Sequence, residues 1–412
     1  MTCHVLIVGG GLAGPCLALS LARRGIRSTI FEIRPHPDMQ IFYDLIKAQG
    51  YTYTRMGAYT DDGEKLGDIA IGQEGGYPAV RIMRTKLHEV LLHKVKGMRN
   101  LAEIKWGVRL LKIEEDDQGV IASFEDGTTV KGKRSLLQSL TAVAFDLGST
   151  DKTAGDLLIG ADGIHSKVRD HVLGPSSPKP IFTNTCTVNG FLPASDAVKP
   201  SPDFTFPAFM FTSSGLFMTI PIDPEGETLA WGHTGTAQER TREEWREYEL
   251  SGEAVRLAKR DYEDVHAEPV RSLLDKMDAS KAKVWAPYSI PELPKWHTAR
   301  VCLVGDAAHA LPPNGEGSAM AFEDAAIMSR LIEAKGDRSY EDLFEKFEEI
   351  RRPRIKTLQD DSGTTAALKA KVGPVGWYIK KWAFRGFFWW NGGVVKRFGK
   401  GTAYDVDQID VQ

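Results

Sequence analysis

The chain has few cysteines, no clusters of histidine and little net charge, and each of these features argues against one class of site or partner. Its 412 residues include four cysteines and ten histidines, and the formal net charge is −3. The cysteines lack paired spacing and lie in or beside apolar strands, which predicts buried thiols in a reducing compartment: Cys3, Cys16, Cys186 and Cys302. Without clustered histidine and cysteine ligands, we expect no metal site. The small net charge gives no indication of a nucleic-acid or polyanion partner.

Length and the first strand set the expected size and location. The chain is long enough for two or more domains with a sizeable core. An apolar strand begins by residue 5, which leaves no room for a cleavable targeting peptide, so a cytoplasmic protein is expected.

His309, close to Asp306 in the sequence, is interpreted as structural rather than as a metal ligand.

The first nucleotide-type motif is at the N-terminus. An apolar strand at residues 5–8 is followed by GGGLAG at residues 9–14 and a helix at residues 15–24. This G-x-G-x-x-G between a strand and a helix is typical of a pyrophosphate site at a helix N-terminus. The next strand ends at Glu32, where an acid binds a ribose hydroxyl pair. Strand, helix and acid together predict a dinucleotide site.

Two later segments also end an apolar strand in a glycine and an aspartate. Residues 156–169 contain Asp162-Gly163 before a helix, and residues 301–325 contain Gly305-Asp306 before a Pro-Pro turn and a glycine-rich loop. A carboxylate on rigid backbone is well placed to accept hydrogen bonds from sugar hydroxyls. Glycines let the loop backbone approach a ligand closely. Either segment alone is also compatible with an ordinary strand-to-helix turn.

In this order the three motifs resemble those of the flavoprotein aromatic hydroxylases, the class A flavin monooxygenases of p-hydroxybenzoate hydroxylase type. The likeness is nearest to fungal-type members that act on polycyclic or secondary metabolites. It implies an α/β fold: a Rossmann-like FAD-binding domain with an inserted β-sheet substrate domain and a C-terminal helical segment. The expected boundaries are 1–175 and 285–365 for the FAD-binding domain, 176–284 for the substrate domain, and 366–412 for the helical, aromatic C-terminal segment.

The resemblance also implies which residues bind the cofactor. The glycines of residues 9–14 would bind the FAD pyrophosphate, Glu32 the adenosine ribose, and Asp306 the ribityl or pyrophosphate region. Arg84, in an R-x-x-L pattern, would contact FAD, although a solvated helix arginine is an equal alternative. The full expected set is Gly9, Gly11, Leu12, Ala13, Gly14, Glu32, Arg34, Arg84, Asp162, Gly163, Asp306, Pro313, Gly315, Gly317, Ser318 and Ala319. Of these, Asp162 and Gly163 would serve both FAD and NAD(P)H, and residues 317–319 would run past the isoalloxazine ring.

The implied activity is FAD-dependent monooxygenation. NADH or NADPH would reduce FAD, and a C4a-hydroperoxyflavin formed with O₂ would hydroxylate or epoxidise an aromatic or polycyclic small molecule in secondary metabolism. No catalytic residue is assigned; Tyr262, His233 and Arg271 are candidate bases only because they lie in or beside the insert. Two alternatives stay open: a flavin reductase or dehydrogenase of the same fold, and a non-catalytic homologue with impaired FAD binding.

Two segments depart from the family pattern. Residues 35–50 follow Glu32 more directly than in the family, so part of the flavin-side wall is expected to be absent. Residues 133–155 lack a helical or strand period, and we expect a poorly ordered, dispensable surface loop there. Either departure could impair FAD binding.

The remaining segments have distinct compositions. Residues 181–235 are rich in aromatic side chains and in strand-like alternation, which predicts a sheet with one face on a ligand. The resemblance implies that this sheet covers the substrate, although plain sheet core is the alternative for any single aromatic residue. Residues 377–398 are dense in aromatic and basic side chains, but their apolar runs are too short to span a bilayer. They could lie on a membrane surface, but a helical cap packed on the main domain is the favoured interpretation.

Overall fold

The computed structural model describes residues 3–33, 48–71, 78–98, 100–125, 151–312, 317–369, 371–396 and 404–411. In these ranges the helices are α1 (Ala13–Ala22), α2 (Arg84–Gly97), α3 (Lys167–Leu173), α4 (Arg242–Leu250), α5 (Glu253–Asp261), α6 (Val270–Lys276), α7 (Asp306–His309), α8 (Gly317–Glu333), α9 (Tyr340–Lys369) and α10 (Pro374–Trp390). None of these helices combines the length and the apolar character that crossing a membrane requires.

The described strands are β1 (His4–Val8), β2 (Arg27–Glu32), β3 (Tyr51–Tyr53), β4 (Arg55–Thr60), β5 (Lys65–Ala70), β6 (Ala79–Arg81), β7 (Ala102–Trp106), β8 (Leu110–Asp116), β9 (Gly119–Phe124), β10 (Asp151–Gly155), β11 (Leu157–Gly160), β12 (Ile181–Phe182), β13 (Thr185–Pro193), β14 (Ala208–Thr212), β15 (Gly215–Pro221), β16 (Thr228–Thr236), β17 (Lys283–Trp285), β18 (Tyr288–Ser289), β19 (Val301–Leu303) and β20 (Val394–Lys396).

A five-stranded parallel sheet of order β19-β11-β1-β2-β7 forms the first layer. Strands β1, β11 and β19 are short apolar runs with nearly every residue buried, as expected when helices cover both faces of a parallel sheet. Helix α1 packs against α8, and residues from α1, α2, α8 and α9 join the strands in one apolar core. The carboxyl ends of the four adjacent strands β19, β11, β1 and β2 therefore lie side by side.

An eight-stranded sheet of order β17-β13-β16-β15-β14-β4-β5-β20 forms the second layer. Its centre is antiparallel, and β13 pairs with β16 over nine residues. Strands β4 and β5 belong to this sheet, although the sequence analysis assigned residues 1–175 to the FAD-binding domain. The pairing of β4 with β14 is parallel and joins positions about 150 residues apart, which local patterning cannot reveal. The domain boundaries stay a proposal.

The expectation of a surface loop at residues 133–155 is wrong for its last five residues. Strand β10 pairs antiparallel with β9 in register from Asp151 with Phe124 to Gly155 with Val120. A Cβ atom on Gly155 would lie 2.6 Å from the Leu6 side chain, so this strand end packs closely on β1. Residues 133–150 of the expected loop lie outside the described residues. The error arose because one short strand has no period of its own to detect.

Comparing two deletion variants measures how much strand β10 contributes to stability. Removing residues 133–155 deletes β10 and its ladder to β9, so we expect it to cost about 3 kcal/mol or more of unfolding free energy relative to removing only residues 133–150. Urea unfolding of the two variants measures this difference. Equal stability of the two deletions would show that β10 contributes nothing to the fold.

Candidate cofactor site

The three glycine-containing motifs meet at one edge of the parallel sheet. Gly9 follows β1, Ala161 follows β11, and Gly305 follows β19, and these strands are neighbours. Gly9 has φ +110°, and a Cβ atom there would lie 2.3 Å from the Ala161 carbonyl oxygen. The first turn therefore packs backbone against backbone on the second. Ligand sites in open α/β sheets form at such carboxyl edges.

Glycines shape the first turn and the start of α1 in different ways. A Cβ atom on Gly14 would lie 2.0 Å from the Gly9 carbonyl oxygen, so only glycine fits there. Gly11 is different, because a Cβ atom there would meet no protein atom within 4 Å. The position is open on the side that a phosphate would approach. Leu12 and Ala13 complete the turn and are buried in the core.

Glu32 closes the neighbouring end of β2. Its side chain is buried, and its carboxylate accepts a hydrogen bond of 2.6 Å from the Gly10 backbone N–H. The acid is thus in position beside the glycine turn, as the spacing of the motif predicted. It also fixes the path of that turn, a role that the sequence analysis did not assign.

Helix α2 approaches the same turn through a residue that the sequence analysis missed. The His88 ring nitrogen Nε2 hydrogen-bonds to the Gly10 carbonyl oxygen. Arg84 is exposed and lies four residues before His88, so the two share one face of α2. The contact of His88 brings this face of α2 towards the glycine turn, and the cofactor contact of Arg84 stays a prediction. The signal for His88 was its spacing of one helical turn from Arg84.

The Asp162 carboxylate is used within its own segment. It accepts hydrogen bonds from the Ser166 hydroxyl at 2.6 Å and from the backbone N–H groups of Lys167 at 2.7 Å and Val168 at 3.2 Å. Burial raises the pKa of Asp162, and these hydrogen bonds oppose that rise. The side chain therefore caps α3. Gly163, with φ +76°, has no protein atom within 4 Å of a Cβ position and leaves the turn open.

Arg169 links the second motif to the third. Its guanidinium is buried and donates to the carbonyl oxygens of Ala307, at 3.1 Å, and Ile164, at 2.7 Å. Ala307 lies one residue after Asp306. The arginine therefore fixes the position of the third motif relative to the second.

The third motif has an exposed acid in front of a buried one. The Asp306 carboxylate is exposed and makes no hydrogen bond to any described residue. Behind it, Asp324 of α8 is fully buried and accepts hydrogen bonds from the Gly305 backbone N–H at 2.6 Å and from His309 Nε2 at 2.8 Å. Its second oxygen accepts from Arg351 Nε at 2.7 Å. His309 is therefore structural, as interpreted from the sequence.

Opposing effects set the ionisation of Asp324. Burial would raise its pKa, but the charges of His309 and Arg351 and the Gly305 N–H lower the pKa to about 2. The carboxylate is thus held ionised beneath the Gly305 turn. The sequence analysis did not single out Asp324 or Arg351, although an aspartate on the apolar side of α8, beside Ala321, Ala325 and Met328, was a usable signal.

The remaining expected cofactor residues lie around the start of α8 and after β2. Helix α8 begins at Gly317, and Ser318 and Ala319 form its first turn, with at least part of each residue accessible. Arg34, Pro313 and Gly315, like most of residues 35–50, lie outside the described residues.

The candidate bases do not share the open face of the second sheet. His233 Nδ1 and the Tyr262 hydroxyl are 2.9 Å apart in a buried cluster, where burial raises the pKa of Tyr262. His233 pairs with Val188 and Phe217, so all three are on the side that faces helices α4–α6. Arg271 is exposed on α6.

The opposite face of the sheet is partly open. Paired positions in β13, β16, β15 and β14 bring Asn189, Gly232, Met218 and Phe209 to one face. Asn189, Met218 and Phe209 are half-buried, and Gly232 has only the Met218 methyl group near its Cβ position, at 3.4 Å. This face combines the apolar side chains of Met218 and Phe209 with the Asn189 amide and, next to it on β13 and β16, the hydroxyls of Thr187 and Thr234, which are 3.0 Å apart. Apolar surface with a few polar groups is typical of small-molecule sites.

The residues at the sheet edge fit FAD. The glycine turn at Gly11 leaves a cradle for a pyrophosphate, Glu32 lies where a ribose would approach, and the exposed Asp306 carboxylate can accept from hydroxyl groups. No described side chain fills these positions. The geometry is that of a dinucleotide site.

Comparison with known proteins agrees with this geometry. The family model described as "FAD binding domain" matches residues 42–362, and a second, "NAD(P)-binding Rossmann-like domain", matches residues 7–56. The chain therefore belongs to the FAD binding domain family. It is a class A flavoprotein monooxygenase, an FAD-dependent enzyme with NAD(P)H as co-substrate, as the motifs indicated.

Relatives of known function are similar over most of their length. The 6-methylsalicylate 1-monooxygenase atA of Aspergillus terreus is 28% identical over 367 residues, covering 80% of this chain and 74% of the relative. The salicylate hydroxylase of Pseudomonas putida is 28% identical over 415 residues, covering 90% and 86%.

Solved structures confirm the fold. Klebsiella pneumoniae HpxO, solved with FAD and uric acid, has a TM-score of 0.70 at 19% identity and covers 95% of each chain. A salicylate hydroxylase substrate complex has a TM-score of 0.69 at 19% identity, covering 98% of this chain and 96% of that one. The expected α/β architecture, a Rossmann-like domain with an additional sheet, is confirmed.

Proposed function

We propose that this monooxygenase hydroxylates a small, electron-rich aromatic molecule that lies between the bound flavin and the open face of the eight-stranded sheet. One observation carries the proposal: the strand ends at Gly9, Glu32, Ala161 and Gly305 converge on a single sheet edge. Relatives named for 6-methylsalicylate, salicylate and 6-hydroxynicotinate support an aromatic substrate. A polycyclic substrate and a role in secondary metabolism are finer possibilities for the same site.

The proposed cofactor contacts follow from the positions described above. The backbone at Gly9, Gly11 and Gly14, with Leu12 and Ala13, holds the pyrophosphate at the start of α1. Further proposed contacts come from Glu32 to the adenosine ribose, from Arg84 to a phosphate, from Asp306 to ribityl hydroxyls, and from the backbone at Gly163 and residues 317–319. Asp162 acts indirectly, because its carboxylate caps α3.

In the proposed mechanism the chain binds, orients and shields. FAD, when bound, supplies the redox chemistry: it accepts hydride from NAD(P)H and activates O₂. The side chains of Phe209 and Met218 exclude water from the substrate face, and the Asn189 amide offers a donor and an acceptor that can orient a polar ring substituent. The proposed mechanism needs no protein nucleophile or metal. All four cysteines are free thiols, which supports the proposed cytoplasmic location.

The test begins with the purified protein. We expect a yellow preparation with flavin absorption bands, and NAD(P)H oxidation that accelerates when salicylate or another hydroxylated benzoate is added. Mass spectrometry under isotopically labelled O₂ should then show one labelled oxygen atom in the product. NAD(P)H and substrate consumption without oxygen incorporation would favour the reductase alternative, and a colourless protein that does not take up FAD would favour the non-catalytic one.

Asp306 and Asp162 are expected to respond differently to substitution. Asp306→Ala removes an exposed carboxylate that hydrogen-bonds to no described residue, so FAD affinity should fall by about 1–3 kcal/mol while the melting temperature of the FAD-free protein stays unchanged. Asp162→Ala removes the acceptor of the Lys167 and Val168 N–H groups at the start of α3, leaving the Ser166 N-cap, and should lower the stability of the FAD-free protein by about 1 kcal/mol. Flavin titration and thermal unfolding measure the two effects. Unchanged flavin affinity in Asp306→Ala would exclude its proposed role.

Glu32 tests which dinucleotide occupies the glycine turn. Glu32→Ala removes both the proposed ribose acceptor and the partner of the Gly10 N–H, so the dissociation constant of FAD should rise about ten- to hundredfold. The ratio of NADH to NADPH use should not change, because the acid belongs to the FAD site. A variant that retains FAD but switches nicotinamide preference would place NAD(P)H, not FAD, at residues 9–14.

A further inference from the structure

Helix α10 has one side that is packed and one that is not. Its inner side buries Trp377, Phe384 and Phe388 against Ala58 of β4 and Phe211 of β14. This confirms a helical cap, but one that covers the eight-stranded sheet rather than the parallel sheet. The outer side carries large apolar residues that are all exposed: Val375, Tyr378, Ile379, Trp382, Trp389 and Trp390.

These six residues, the outer stripe, form one continuous face of α10. At 3.6 residues per turn they project within about one-third of the helix circumference, and the only other residue of α10 in that sector is Gly386. No charged residue interrupts it. Trp389 and Trp390 are 79% and 83% exposed. Ordinary protein surfaces carry exposed apolar residues singly, whereas a contiguous apolar face of this kind marks an interaction site.

Ion pairs fix the outer stripe in its outward position. Lys381 contacts Asp61 at 3.1 Å and Asp62 at 2.5 Å, and Arg385 pairs with Glu64. The Trp377 indole N–H also donates to Asp61, at 2.6 Å. These acids lie in and beside the turn between β4 and β5. They hold the basic edge of α10 against the sheet, so the helix cannot rotate to bury its aromatic residues.

The charge of the surrounding sequence distinguishes between possible partners. Residues 362–404 contain eight lysines and arginines and no aspartate or glutamate, in a chain whose net charge is −3: Lys369, Lys371, Lys380, Lys381, Arg385, Lys396, Arg397 and Lys400. Three of them, Lys371, Lys381 and Arg385, form ion pairs with acids outside this segment, so the excess positive charge comes from the other five. A two-fold contact between two copies of this face would bring the two basic segments together, which like-charge repulsion opposes. An anionic surface is complementary to it.

We propose that the outer stripe binds the surface of an anionic lipid bilayer, with α10 lying in the plane of the interface. Tryptophan and tyrosine are favoured at the membrane–water boundary because their rings are apolar with a polar N–H or O–H group. Basic residues beside an apolar helix face add attraction to anionic headgroups. Packing on the sheet uses the inner side of α10, so the cap and the bilayer contact coexist.

Vesicle flotation of the full-length flavoprotein tests the proposal. Vesicles of phosphatidylcholine with about one-third phosphatidylglycerol should carry the protein, whereas pure phosphatidylcholine vesicles should carry much less, and added salt should weaken binding. Trp389→Ser with Trp390→Ser should reduce binding on the order of tenfold or more. The matched control is Trp285→Ser, which removes a tryptophan on β17 that is also exposed, and it should bind as the unmodified protein does.

Three results would overturn the proposal. The first is no flotation with anionic vesicles, and the second is flotation that the double tryptophan variant retains in full. The third is a dimer in sedimentation equilibrium that the double variant converts to monomer without any vesicle binding, which would assign the outer stripe to a second copy. Flavin content and NAD(P)H oxidation in the absence of vesicles should be the same in all variants, because these tryptophans lie outside the cofactor site.

Discussion

Replacing Gly14 with alanine is expected to disrupt the cofactor domain itself, whereas replacing Gly11 should remove only the cofactor. In Gly14→Ala the new Cβ atom would lie 2.0 Å from the Gly9 carbonyl oxygen, which is backbone and cannot turn aside. The first turn must shift away from β11, at a cost of about 3 kcal/mol or more. Little folded flavoprotein should be recovered.

Gly11→Ala supplies the matched comparison. Its Cβ atom would meet no protein atom within 4 Å, so the FAD-free protein should unfold at the same temperature as the unmodified one. The methyl group would instead occupy the space that the pyrophosphate needs, and flavin content should fall at least tenfold. Circular dichroism melting and flavin absorbance measure the two quantities. Full flavin content in Gly11→Ala would show that phosphate does not approach this position.

The sequence predicted the local parts of this site and missed the distant ones. The glycine turn, Glu32, the second turn and the third turn each depend on residues within about 25 positions, and strand-to-helix patterns reveal them. The contact of His88 with Gly10 spans 78 residues, and that of Arg351 with Asp324 joins two consecutive helices 27 residues apart, so neither belongs to a strand-to-helix turn pattern. Only the packed structure brings such pairs together.

For the same reason, the sequence did not reveal which sheet β4 and β5 belong to. Strands β4 and β5 carry no local sign of the sheet to which they belong, because a strand shows which face it buries but not which neighbour it pairs with. The five residues of β10 were also assigned to a loop, since their partner is β9, across residues 126–150. Two of the three candidate bases are buried: His233 and Tyr262 hydrogen-bond to one another on the side of the sheet that faces helices α4–α6, whereas Arg271 is exposed on α6.

The buried Asp324 should prove to be a positioning residue for the third motif. Asp324→Asn removes the charge that faces Arg351 and weakens the bonds to Gly305 and His309, so we expect a loss of about 3 kcal/mol of unfolding free energy. The Gly305 turn should then relax, and the dissociation constant of FAD should rise about tenfold beyond what lower stability explains.

Glu323→Gln is the control for this effect. Glu323 pairs with Arg351 at 2.6 Å and with Arg354 at 2.8 Å, yet it makes no hydrogen bond to Gly305. It should lower stability while leaving FAD affinity close to that of the unmodified protein. Denaturant unfolding and flavin titration of both variants give the comparison. An equal change in FAD affinity would mean that Asp324 acts only through general stability.

The pH dependence of stability gives an independent measurement of the same carboxylate. The pKa of Asp324 is about 2 in the folded protein, below the ordinary value of an unfolded aspartate, about 4. The ionised carboxylate therefore stabilises the fold above pH ~4, and this contribution is lost as the pH falls from ~4 towards ~2. The unmodified protein should lose about 2 kcal/mol more over that interval than Asp324→Asn, which has no group to protonate there. Parallel stability curves for the two proteins would show that the buried carboxylate does not carry the lowered pKa, and the link from Arg351 through Asp324 to the Gly305 turn would then have to be abandoned.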